Sequence, residues 1–109
     1  VYDGCCAIGP CVLLPEKPVA REDLKITLVI ERGGREINRG ETDAGQMARG
    51  FDELVGWLGR EYELPDGAML LTGTGVVPPD DLTLEDGDLV SITIEGIGTL
   101  TNPVVKGRK

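Results

Sequence analysis

Residues 25–39, KITLVIERGGREINR, carry the clearest structural signal in the chain. Within them, Ile26, Leu28 and Ile30 occupy every second position, which is the pattern of a strand with one buried face. Gly33-Gly34 follows this strand, and paired glycines accept the positive φ angles of a tight turn. The sequence therefore predicts a β-hairpin in which the rest of the stretch returns antiparallel.

Downstream of the hairpin, the sequence predicts one main helix near residues 51–62. The apolar residues there fall at helical spacing and form a single stripe, made by Phe51, Leu54, Val55, Leu58 and Tyr62. Ahead of the helix, Asp43 and Gln46 lie three residues apart and indicate a capping box for a short helical turn. We expect the helix to cover a sheet.

The other predicted elements are short strands separated by turns rich in Gly, Pro and Asp. One follows a Gly-Pro turn within residues 7–14, and the others span 68–72, 90–95, 97–101 and 103–105. With one helix among them, the pattern indicates an α+β fold that is mostly β. A chain of 109 residues with 40% hydrophobic content fills one modest core. One domain is therefore expected.

The formal net charge of -8 makes this an acidic protein. Nucleic acid and anionic membrane surfaces would be repelled by such a surface, so neither is expected as a partner. No apolar run approaches the roughly 20 residues that span a bilayer, and the first residues lack the pattern of a secretory signal. A cytoplasmic location is expected.

Three cysteines, Cys5, Cys6 and Cys11, crowd into one apolar stretch near the start of the chain. This arrangement is unlike the disulfide framework of a small secreted domain, and it indicates reduced thiols in the core of a cytosolic protein. There is no histidine. That excludes a Cys–His catalytic pair within these residues, and the spacing of the cysteines disfavours a closed zinc site.

A second informative stretch is LLTGTGVVPP, residues 70–79, where Gly73 and Gly75 flank Thr74. Glycines permit close approach to the backbone, and the threonine offers a hydroxyl and an N–H together. The pattern matches neither the dinucleotide fingerprint nor the P-loop. Spacing alone leaves open an anion contact or a plain tight turn, of which the turn is favoured.

The acidic segment that follows, DDLTLEDGD at residues 80–88, has the composition of a calcium loop. Its spacing fails, because counting from Asp81 places Asp86 where an EF-hand needs glycine and puts Gly87 one position late. A solvated turn before the next strand is the favoured interpretation.

Several segments occur together in one order: GPCVLLPE at 9–16, RGETDAGQM at 39–47, FDELVGWL at 51–58, residues 64–88 around LTGTG, and ITIEGIGTLTNPV at 92–104. Together they resemble the C-terminal portion of the fumarylacetoacetate hydrolase family. The GTGVVPP form of the loop is similar to the branch of 2-keto-3-deoxy sugar-acid dehydratases.

The resemblance implies a mixed β-sandwich roll in which Mg²⁺ holds a 2-keto acid. Members hydrolyse C–C bonds, isomerise, decarboxylate or dehydrate beside the keto group, and a Lewis-acid metal stabilises the enolate charge that develops. The family's metal ligands lie upstream of the matching segment. Residues 1–109 are therefore expected to be a C-terminal fragment of the catalytic domain, inactive alone, whose parent is an enzyme.

The same resemblance assigns three site residues. Thr74 matches the family threonine that contacts the substrate carboxylate, and Gly73 and Gly75 let the backbone come close. No catalytic residue and no metal ligand is assigned within the chain.

Other residues carry weaker implications. Glu41, Thr42 and Gln46 lie in the family's short motif before the helix, where either positioning of the active-site shell or a capping and surface role applies, the second being favoured. Tyr2 and Asp3 correspond to a segment just after the last family metal ligand, and a metal role for Asp3 is disfavoured.

Two functional hypotheses remain. The first is part of a Mg²⁺-dependent enzyme for a small-molecule 2-keto acid. In that case an exposed apolar surface is expected where the rest of the enzyme would pack, together with self-association as a homo-oligomer. The alternative is a non-catalytic β-rich module for binding or assembly.

Overall fold

The computed structural model describes residues 3–107, whose centre is one antiparallel sheet. Four strands pair in the order β2-β1-β3-β4, and they span Lys25–Arg32 (β1), Arg35–Asp43 (β2), Leu89–Ile94 (β3) and Gly98–Pro103 (β4). The α-helix α1 covers Phe51–Leu58, and short 3-10 turns cover Arg21–Asp23 and Ala44–Gln46. The predicted mostly-β class with one main helix is confirmed.

The predicted hairpin is present and forms one edge of the sheet. β1 and β2 pair antiparallel from Arg32 opposite Arg35 to Lys25 opposite Asp43. Gly33 and Gly34 both have positive φ, 56° and 77°, as a tight turn between right-twisted strands requires. β2 runs four residues beyond the predicted hairpin and ends at Asp43.

The core lies on one face of the sheet. Within residues 3–107, the buried apolar side chains are those of Leu28, Ile30 and Ala44. Leu28 lies opposite Ile92 of β3, yet Ile92 keeps 40% of its surface exposed. The apolar face of the sheet is therefore only partly covered by the described residues.

Helix α1 differs from the prediction in length and in packing. It ends at Leu58 with Gly59 as its C-cap rather than continuing to residue 62, because a second glycine after Gly56 further weakens a short helix that has no buried residue. None of its residues is buried, and Val55 and Trp57 are each 61% exposed. The expectation that it covers a sheet is wrong within the described part of the chain.

Three further predictions need correction. Residues 7–14 and 68–72 are not strands, because neither stretch has a hydrogen-bonded neighbour in the sheet. Residues 103–105 do not form a separate strand either, since β4 itself ends at Pro103. Cys5, Cys6 and Cys11 are exposed and not core thiols, because the segment that carries them runs over the surface.

A buried carboxylate ties the turn before β3 to the end of β1. Asp88 is 1% exposed and receives two hydrogen bonds from Arg32, Nε to Oδ1 and Nη2 to Oδ2, each 2.8 Å. The N–H of Glu85 donates to Oδ2 at 2.8 Å. The Arg32 guanidinium and this backbone hydrogen bond lower the pKa of Asp88 to about 2. Most of the acidic turn is solvated as predicted, but Asp88 is not.

Candidate functional site

A cavity of about 380 Å³ opens where β2 ends, beside the start of α1 and the loop at residues 72–75. Its apolar wall includes Leu24, Ile26, Phe51, Leu54, Ile94 and Ile97. Its polar groups come from Thr42, Asp43, Gln46, Arg49, Thr72 and Thr74. An apolar cavity with a few convergent polar groups is the usual form of a small-molecule site.

The loop predicted from the sequence forms one wall of this cavity. Gly73, Thr74 and Gly75 all line it, and Gly73 has a φ of 96°, which favours glycine. The Thr74 hydroxyl donates to the Val76 carbonyl oxygen at 3.0 Å and accepts from the Val76 N–H at 3.3 Å. The hydroxyl thus already closes a small turn, and a ligand carboxylate would compete with the Val76 carbonyl for its proton.

Gly75 lies in close contact with Thr42 of β2. A Cβ atom built there would lie 3.1 Å from the Thr42 Oγ1 and 3.2 Å from its Cγ2. The loop backbone therefore packs against the end of β2. This close approach explains the need for a small residue at Gly75 without any ligand.

The residues of the motif before the helix do not all line the cavity. Thr42 and Gln46 line the cavity, which favours the shell interpretation for these two residues. Glu41 is exposed, lies opposite Thr27 and does not line the cavity. Since successive residues of a strand point to opposite faces, the surface interpretation fits Glu41.

Asp43 caps the short turn at Ala44–Gln46, as predicted, but through a different partner. Its Oδ1 accepts from the N–H of Gly45 at 2.9 Å, and its Oδ2 lies 3.6 Å from the Lys25 Nζ. The negative charge of the Asp43 carboxylate at the cavity is thus paired with the positive charge of Lys25. Asp3, the weakest of the suggested residues, is exposed and does not line the cavity, and Tyr2 lies outside the described residues.

Arg49 is a cavity residue that the sequence analysis missed. Its Nε lies 3.7 Å from Glu53 Oε1, which is a loose exposed ion pair. The main chain around it is held by Arg21, whose Nη1 donates to the carbonyl oxygens of Met47 at 3.3 Å and Arg49 at 3.4 Å. The available signal was a basic residue between two family motifs of an acidic chain.

Residues 3–107 do not bring three Cys, Asp or Glu side chains together in a way that would hold a metal ion. Among the described residues that line the cavity, Asp43 is the one carboxylate. No helix in this part of the chain is long and apolar enough to cross a membrane.

A family model described as fumarylacetoacetate (FAA) hydrolase C-terminal matches residues 1–105. A probable 2-keto-3-deoxyxylonate dehydratase of Haloferax volcanii is 47% identical over 104 residues, which are 95% of this chain and 36% of that protein. A 2-dehydro-3-deoxy-D-arabinonate dehydratase of Saccharolobus solfataricus is 43% identical over 109 residues, 100% of this chain and 37% of that protein.

Solved structures agree with the sequence relatives. The structure of 2-keto-3-deoxy-D-arabinonate dehydratase complexed with magnesium and 2,5-dioxopentanoate matches with a TM-score of 0.92 and 44% identity, over 99% of this chain and 38% of that one. A hexagonal crystal form of 2-keto-3-deoxyarabinonate dehydratase gives a TM-score of 0.93 at 43% identity, with 100% and 38% covered. The chain thus spans a little over a third of the length of these relatives.

Proposed function

The chain belongs to the fumarylacetoacetate hydrolase family, and from this premise we propose that it is the C-terminal part of the catalytic domain of a Mg²⁺-dependent dehydratase for 2-keto-3-deoxy sugar acids. One observation carries the proposal. The glycine-flanked Thr74 loop lines a substrate-sized cavity in a fold that matches, at a TM-score of 0.92, a dehydratase complexed with magnesium and 2,5-dioxopentanoate.

The surface of the chain supports the proposal that more polypeptide packs against it. Its accessible area is 9043 Å², against about 5,800 Å² for an ordinary folded monomer of 11.6 kDa. The radius of gyration is 15.9 Å, against about 13 Å for this length. Large exposed apolar residues are concentrated in two segments, namely Ile8, Val12, Leu13, Leu14 and Val19, and Met69, Leu70, Leu71 and Val77. Such a surface is typical of one that is covered in the intact protein.

The proposed roles within the chain are those of binding and orientation. The Thr74 loop receives the carboxylate end of the 2-keto acid, and Thr42 supports the loop from β2. Arg49 offsets the negative charge of an acidic protein at a cavity that takes an anion. Asp43 is the one carboxylate that the described residues place at the cavity, and it already caps a turn and pairs with Lys25, so we assign the metal ligands and the proton transfers to the rest of the protein.

The proposal is tested on the full-length polypeptide that contains these residues. We expect Mg²⁺-dependent dehydration of 2-keto-3-deoxy-xylonate or 2-keto-3-deoxy-arabinonate. Thr74→Val should lower kcat/KM roughly ten- to hundredfold, because a hydrogen bond to a charged group is lost. Thr74→Ser retains the hydroxyl and should stay within about threefold of the parent.

Thr83→Val is the matched control, since Thr83 is exposed and does not line the cavity. It should leave kcat/KM unchanged. A full-length protein that dehydrates neither acid at any Mg²⁺ concentration would contradict the enzyme proposal and favour the non-catalytic module. Equal activity of Thr74→Val and the parent would remove the assigned role of the loop.

A further inference from the structure

We propose that Gly40 of β2 is a positioning residue for the Thr74 loop, acting through the side chain of Val76. This inference rests on the proposed function, because it concerns the same cavity. Gly40 itself does not line the cavity, and no sequence motif assigned it a role.

The first step is the contact between Gly40 and Val76. Gly40 lies opposite Leu28 in the sheet, on the face that carries the core. A Cβ atom added at Gly40 would overlap Cγ1 of Val76, so the valine occupies the space that any side chain at position 40 would need. Gly40 does not have a positive φ, and it is therefore required for space rather than for backbone conformation.

The second step connects Val76 to the cavity. The backbone N–H and carbonyl of Val76 both hydrogen-bond to the Thr74 hydroxyl, at 3.3 and 3.0 Å. The intervening Gly75 lies against Thr42, which is two residues from Gly40 and so on the same face of β2. The loop is thus held at two successive points of one strand face, and it reaches the cavity from there.

The third step is that the contact leaves little freedom to relax. Valine is β-branched and restricted at χ1, so moving its Cγ1 away from position 40 requires a less favourable rotamer or a shift of the loop backbone. A methyl group at position 40 would push Val76 away from β2, and the hydrogen-bonded Thr74 would move with it. The expected consequence is weaker binding of the 2-keto acid, while the groups that perform the chemistry keep their places.

The test is a size-exchange cycle in the full-length protein. Gly40→Ala should raise KM for the 2-keto-3-deoxy acid roughly tenfold and change kcat less than about twofold. Val76→Ala removes the overlapping atom and should raise KM only about two- to threefold. The double variant Gly40→Ala/Val76→Ala should return KM to about the value of Val76→Ala, because the clash is gone.

Gly56→Ala is the matched control. A Cβ at Gly56 meets no atom within 4 Å and its φ is not positive, so the same chemical change should leave KM unchanged. A double variant as impaired as Gly40→Ala, or an unchanged KM in Gly40→Ala, would overturn the positioning role.

A second readout separates this inference from the proposed function. Hydrogen exchange of the amides at residues 73–76 should be faster in Gly40→Ala and should be restored in the double variant. If that exchange pattern holds but no protein turns over a 2-keto acid, the contact stands and the proposed function fails. If exchange is the same in all variants, the positioning role is wrong.

Val76→Ile approaches the same contact from the loop side, for the case that Gly40→Ala does not fold. It extends the branch that corresponds to Cγ2 of Val76, which lies 4.0 Å from the Cβ position at Gly40, and should raise KM by about threefold with faster loop exchange. An unchanged KM together with unchanged exchange in Val76→Ile also overturns the proposal.

Discussion

Two parts of the molecule differ in how well the described chain covers and pairs them. One is the β1–β2 hairpin, which Arg32 joins to Asp88, and the other is the pair of irregular segments at residues 3–20 and 59–79. Both strands of the hairpin are hydrogen-bonded to a neighbour, and the sheet around it contains the buried Leu28 and Ile30. The irregular segments contain most of the large exposed apolar residues and no strand. Secondary structure has formed where the chain supplies its own partners. Where it does not, apolar side chains remain at the surface.

The largest effect expected from this contrast is on activity. The isolated chain should show no measurable turnover of acylpyruvates or 2-keto-3-deoxy sugar acids, with or without Mg²⁺, because its described residues offer no metal site. Its exposed apolar surface should also make it self-associate during analytical sedimentation. Metal-dependent turnover by these 109 residues alone would contradict the first expectation, and a strict monomer at high concentration the second.

A smaller effect, on thermal stability, is expected when the buried ion pair between Asp88 and Arg32 is removed. Asp88→Asn in the full-length protein should lower Tm by roughly 5–10 °C, because Arg32 loses the buried charge that it neutralises. Asp81→Asn, in the same acidic turn but exposed, should change Tm by less than about 1 °C.

The same variant has a distinct pH dependence. The folded pKa of Asp88 is about 2, below its usual value of 3.8, so its stabilising contribution is complete above that usual value and is lost as pH falls towards 2. Urea midpoints measured from pH 5 to pH 2 should therefore fall less steeply in Asp88→Asn than in Asp81→Asn. Parallel profiles would show that Asp88 is not the group responsible.

The smallest effect compares one substitution in two contexts. Leu71 is 71% exposed, so Leu71→Ser should change the stability of the isolated chain by no more than about 0.5 kcal/mol. In the full-length protein, where we propose that this segment is covered, the same change should cost about 1–2 kcal/mol. Equal small effects in both proteins, measured by urea unfolding, would mean that this surface stays exposed.

Prediction from the sequence succeeded where the signal was local. The hairpin followed from alternation over eight residues and a glycine pair, and β3 and β4 lie within one or two residues of their predicted starts. The apolar stripe to Tyr62 predicted too long a helix. Apolar spacing does not show whether a packing partner is present to hold the helix past Gly59, and the described residues provide none. The prediction that the clustered cysteines lie in the core is wrong for a related reason, since hydrophobicity alone does not specify what covers a segment.

The candidate site was only partly accessible to the same reasoning. The Thr74 loop was predicted from its residues and its family resemblance, and it lies at the cavity. Arg49 and Gly40 were missed, because a single arginine and a single glycine in a strand have no periodicity. Their importance appears only when the loop is placed on β2.

The amino-acid sequence by itself determined the approximate positions of the four paired strands, the turn between β1 and β2, and the glycine-threonine loop, because each depends on residues a few positions apart. Only the tertiary structure decided that Asp88 is buried under Arg32, 56 positions away, and that Val76 fills the space above Gly40. These contacts depend on strand register and on the path of a long loop. Neither property is encoded in a local pattern of side chains.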